Sequence, residues 1–113
     1  MKALLGAFLL LLSGAVAPAQ DYECDQEQSR LEIQRLTDAG TIVSVDRFPP
    51  YVTVVVEERA WSRSSFEAKK VVAQQVDCAI AGAGSTMLRT VIFRSNRDTR
   101  VLGVYSRNEL KIP

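Results

Sequence analysis

A valine-rich strand running directly into an amphipathic helix is the feature that most limits what this chain can fold into. It lies between Tyr51 and Gly82, in YVTVVVEERAWSRSSFEAKKVVAQQVDCAIAG. Val52, Val54 and Val56 alternate with Tyr51, Thr53 and Val55, the period of a strand with one buried face. The valine set is the expected core face. Beyond Trp61 and a serine cluster, Phe66, Ala68, Val72, Ala73, Val76, Ala79 and Ile80 fall within one arc of a helical wheel. That arc predicts a helix docked on a sheet. Ser64 with Glu67 offers a capping box, and Ser62 as cap would instead set Trp61 against Phe66 as a hydrophobic staple.

The flanking sequence supplies the remaining elements. A helix is expected over about Gln26 to Ala39, with acids at its start and Gly40 where a left-handed cap would stop it. Thr41 to Asp46 alternates as a short strand, and Phe48-Pro49-Pro50 breaks it. The next strand is expected over Tyr51 to Arg59. Gly82-Ala83-Gly84-Ser85 ends the second helix. Met87 to Ser95 and Arg100 to Ser106 then read as a hairpin around Asn96-Arg97-Asp98-Thr99. Val91 and Phe93 share a face of the first of these strands, as do Leu102 and Val104 of the second. Residues Asn108 to Pro113 either extend an edge or fray.

The expected fold class is therefore α+β: two antiparallel helices packed on one face of a four-stranded, mainly antiparallel sheet, in the order α-β-β-α-β-β. Two strand orders satisfy the chain directions. One is 1-2-3-4 with a parallel middle pair, and the other is the fully antiparallel 2-1-3-4, which is preferred.

The first 19 residues have the form of a secretory signal peptide. Lys2 is the positive start, Ala3 to Leu12 the apolar run, and Ala17-Pro18-Ala19 the small-residue cleavage site. Its apolar stretch is short of the roughly 20 residues that span a bilayer. Cleavage after Ala19 leaves residues 20–113 as one small, soluble, periplasmic or secreted domain with no stable membrane insertion. A domain of that size buries roughly 60 to 68 % of its unfolded surface and profits from a covalent staple. Cys24 and Cys78 are the chain's two cysteines. In an oxidising compartment they have one intramolecular pairing open to them, a structural disulfide. Antiparallel helices place both at a shared end. Cys78 lies off the apolar arc, so the bridge is expected across the outer flank of the second helix.

The chemistry available to the chain is narrow. It contains no histidine, which removes the commonest general base and most zinc sites. Asp77 beside Cys78 would raise a thiol pKa, and no CxxC is present. Glu57 and Glu58 are adjacent on the expected strand and so point to opposite faces. The run Asp21, Glu23, Asp25, Glu27 lacks the glycine and terminal glutamate of a calcium loop. No enzyme activity and no cofactor are expected.

Charge is unevenly placed. Lys and Arg number 14 against 13 Asp and Glu, with the acids concentrated before Arg59 and the bases after it. On the C-terminal hairpin Arg94, Arg97 and Arg100, with Tyr105 nearby, form a candidate surface for an acidic protein or an envelope polyanion. The expected function is an exported accessory or binding domain using that surface. The alternative is an inhibitor of an extracytoplasmic hydrolase, wedging in its loops at Phe48 to Tyr51 and Arg97 to Thr99.

Overall fold

The structure, a computed structural model, describes residues 24–48, 50–81 and 90–113. In chain order its elements are α1 (Gln26–Asp38), β1 (Ile42–Phe48), β2 (Tyr51–Val56), α2 (Glu58–Arg63), α3 (Phe66–Ala81), β3 (Thr90–Ser95), β4 (Val101–Ser106) and β5 (Glu109–Lys111). The expected signal peptide, the glycine-rich stop after α3, and residues 87–89 of the expected third strand lie outside the described residues.

The fold is α+β, with one mainly antiparallel sheet in the order β1-β2-β3-β4-β5. Three expectations are corrected. The sheet has five strands, because Arg107 and Asn108 both take positive φ, 54° and 64°. That is the geometry of a two-residue hairpin turn, and it folds the tail back as β5. A short helix, α2, precedes the long one. The preferred 2-1-3-4 order is also wrong, since β2 pairs with β3, in parallel, from Tyr51↔Thr90 to Val56↔Ser95.

Burial explains the order. β2 offers an unbroken valine face, so it belongs inside the sheet, where both edges are paired. β1 carries Asp46, Arg47 and a largely exposed Phe48, the kind of strand that tolerates an edge. A parallel neighbour for β2 requires a long crossover. Helices α2 and α3 provide it.

The core forms where the expected valine face meets the helices. Val52, Val54, Val56, Val91 and Phe93 are buried with Ala73 and Val76 of α3 and Trp61 of α2, while Ile33 and Leu36 of α1 pack against them. On β4, Leu102 and Val104 remain half-exposed, and Gly103 and Tyr105 are the buried residues. A register shift opposite Arg94 accompanies this pattern. Glycine at 103 matters, because a Cβ there would stand 3.3 Å from Cζ2 of Trp61 and 3.4 Å from Cδ1 of Leu110. The indole occupies the space that a side chain would take.

Trp61 reaches the core because the helix is broken before Phe66. Glu57 caps α2, accepting from Ala60 N at 2.9 Å and Arg59 N at 3.2 Å. Ser64 closes it, its hydroxyl donating to Ala60 O at 2.9 Å. Ser65 then starts α3 by accepting from Ala68 N at 3.1 Å. The cap is thus neither Ser62 nor Ser64, and Phe66, expected in the apolar arc, is exposed. Lys69 places its ammonium 5.5 Å from the centre of the Trp61 ring, a cation–π contact with the indole.

α1 stops as expected at Gly40, whose φ is +83°. Thr41 N donates to Leu36 O at 2.9 Å and Gly40 N to Thr37 O at 3.0 Å, the paired bonds of a Schellman cap. Cys24 and Cys78 are joined in a disulfide, with Cα atoms 5.6 Å apart. Gln26 Nε2 donates to Ala79 O at 3.1 Å beside it. Cys78 is fully buried, not on an outer flank. The last turns of α3 have the sheet on one side and α1 on the other, so the wheel's far side is covered too.

Candidate functional site

The arginine hairpin is organised by a turn that leans on α2. Asn96 N donates to Val56 O at 3.0 Å, and Glu58 N to Asn96 Oδ1 at 3.1 Å. The buried Ser95 hydroxyl donates to Glu58 Oε1 at 2.6 Å and accepts from Arg97 N at 3.0 Å. Arg100 closes the cluster, with Nη2 2.5 Å from Glu58 Oε2 and Nη1 2.6 Å from Asp98 Oδ2. The tip is therefore tied to the start of the crossover. Glu57 and Glu58, expected at the end of a strand and pointing to opposite faces, serve as a helix cap and as the hub of this cluster.

These contacts sort the candidate residues. Arg100 is held by two carboxylates, and Arg94 Nη1 donates to Thr99 O at 2.8 Å. Arg97 is exposed, and its guanidinium has no partner among the described residues. Tyr105 is buried, its hydroxyl donating to Asn108 Oδ1 at 3.2 Å, so its ring is not a surface platform. Arg97 is the cation the tip offers outward.

The carboxylates of the tip titrate low. The Ser95 hydroxyl and then the Arg100 guanidinium hold Glu58 below its ordinary 4.5. Asp98 is lowered chiefly by the Arg100 backbone N–H. Unfolded, these groups take up protons at their ordinary values, so the folded state loses ground as pH falls past them. The cluster's contribution is complete above about pH 4.5 and disappears as pH drops through the lower, folded values. We expect the protection of the Asn96 and Arg97 amides, measured against their intrinsic exchange rates at the same pH, to fall below pH 4.5 in the parent. In Glu58→Gln it should be low at neutral pH as well. Equal protection in the two proteins at pH 7 would show that the tip does not depend on this carboxylate.

The two loops expected to act together as an inhibitory wedge do not meet. Tyr51 opens β2 and Val56 closes it, and the β3–β4 tip bonds to Val56. The Phe48 to Tyr51 turn therefore lies at the far end of a six-residue strand, on the order of 20 Å away.

A second feature is a groove of about 420 Å³ lined by Arg30, Ile33, Gln34, Thr37, Val45, Arg47, Val76, Ala79 and Ile80. The residues come from one face of α1, one side of β1 and the flank of α3. Because three separate elements contribute, no local motif announces the groove. The spacing 30, 33, 34 and 37 on α1 was the available signal. Arg30 and Arg47 are exposed, and their guanidinium groups make no hydrogen bond or ion pair among the described residues.

No group of metal-ligating side chains that could hold an ion occurs among the described residues. Asp25, part of the acidic run, caps α1 by accepting from Gln28 N at 3.0 Å. Among the described residues no helix is long and apolar enough to cross a membrane. Compared with known protein families, with curated proteins and with solved structures, the chain finds no match.

Proposed function

We propose that this chain is an exported, non-catalytic binding domain that takes an acidic partner, a protein or an envelope polyanion, on its arginine hairpin. Export by cleavage after Ala19 is consistent with the Cys24–Cys78 disulfide, because such bridges persist in oxidising compartments. The absence of catalysis rests on a sequence without histidine. The observation that carries the reading is the uncommitted guanidinium of Arg97 on a tip fixed by Glu58, Ser95 and Arg100. Holding the cation's backbone in place lowers the ordering cost of a contact.

Pull-down from envelope extract at low and high salt tests the reading. Bound material should be released by salt, as screening of exposed charges requires. Arg97→Glu should weaken capture roughly tenfold, about 1.4 kcal/mol. It leaves the Glu58–Arg100 pair intact, so a loss of binding cannot be blamed on a disordered tip. Capture as strong by Arg97→Glu as by the parent would remove the hairpin as the site.

A further inference from the structure

We infer that the groove beside β1 receives an extended acidic peptide of a partner protein, added to the sheet as a sixth strand. Three observations meet there. Among the described residues β1 is the edge of the sheet, with a strand partner on one side only, so its outer backbone groups are open to pairing there. From Ser44 to Phe48 its register on β2 is regular, the bulge being confined to Ile42/Ser44. The groove beside this regular stretch has Val45, Ile33, Val76, Ala79 and Ile80 as apolar lining.

Charge then selects the occupant. Val45 and Arg47 sit opposite Val54 and Val52, so both share the helix-facing side of the strand. Arg47 thus stands on the same side of the sheet as the core and lines the groove with Arg30 of α1. Arg35, Arg94 and Arg100 are engaged by carboxylates or carbonyls; the guanidinium groups of Arg30 and Arg47, like those of Arg59, Arg63, Arg97 and Arg107, make no hydrogen bond or ion pair among the described residues, and these two are the ones that line this groove. An apolar channel carrying two unused cations along an open strand fits a peptide that alternates aliphatic and acidic side chains. Its backbone would satisfy β1, its aliphatic groups the lining, and its carboxylates Arg30 and Arg47. A volume of about 420 Å³ falls within the range of small binding clefts. None of the lining residues belongs to the hairpin, so this reading and the preceding one stand or fall separately.

Panning a phage library of random heptapeptides against the disulfide-bonded protein tests the inference. Enriched sequences should place Asp or Glu next to aliphatic residues. The best synthetic peptide should protect amides on the outer edge of β1 from exchange. Arg47→Glu and Arg30→Glu should each weaken it at least tenfold, with Trp61 fluorescence confirming that each variant is folded, and Arg97→Glu should leave it unchanged. A proline at a pairing position of the peptide should abolish binding. The proposal would be overturned by no enrichment; by equal binding by parent and both groove variants; by laurate filling the groove while no peptide is selected; or by a concentration-dependent dimer through β1. An Arg47→Val variant that self-associates yet binds the peptide as well as the parent would assign Arg47 to guarding the edge and would equally refute it.

Discussion

Replacing Phe93 by alanine should destabilise the domain by about 3–5 kcal/mol, the range for losing a fully buried aromatic side chain. Phe93 has no exposed surface. It lies on β3, between β2 and β4, and stacks on Trp61 with ring centres 4.7 Å apart and planes inclined by 27°. Trp61 in turn covers Gly103, so a cavity at Phe93 removes support from β3, α2 and β4 together. Small domains have total stabilities of roughly 5–15 kcal/mol, so the loss is a large share. Urea unfolding followed by Trp61 emission measures it directly, since Trp61 is the sole tryptophan. Phe93→Leu, which refills most of the volume, should retain the larger part of the stability. A loss under about 1 kcal/mol for Phe93→Ala would mean that the stack is not the centre of the core.

The Cys24→Ser, Cys78→Ser double variant should lose about 4 kcal/mol, the chain-entropy value for a loop between residues 54 positions apart. For a domain of this size that corresponds to a fall in Tm of roughly 15–30 °C. Beyond that global loss, the start of α1 should loosen locally. Among the described residues its attachments there are the disulfide and the Gln26 bond to Ala79 O. Hydrogen exchange should show the first turn of α1 opening while β2 and β3 stay protected. A variant as stable as the parent, with that turn still closed, would show that helix packing alone holds the N-terminal segment.

What could be read from the residues was what local chemistry decides. The alternation of Val52, Val54 and Val56 identified the buried face, Gly40 the end of α1, and the two cysteines their pairing. Periodicity also found the body of α3. It did not find α2, because a helix of one and a half turns with one buried residue, Trp61, has no period to detect. The strand order differs from the expected one because a fully antiparallel sheet was preferred to one with a parallel middle pair. The burial requirement of β2's second edge decides otherwise, and that is a property of the whole sheet. The candidate arginines were correctly placed on one hairpin. The fate of Arg100 depends on Glu58, 42 positions away, and no motif encodes that meeting. Tyr105 was misread for the same reason, since the register shift in β4 decides which of its side chains turn inward.

The covalent ring closed by Cys24 and Cys78 encloses α1, β1, β2, α2 and most of α3, and it leaves β3, β4 and β5 outside. The meander is joined to the ring by the parallel β2–β3 seam, by Phe93 against Trp61, and by Ser95 and Arg100 on Glu58. All of these links are reversible. Opening the seam would expose the inner edge of β2, which β3 covers in the folded chain. The two parts are thus held together by non-covalent contacts alone, and parting them would leave the sulfur bridge untouched.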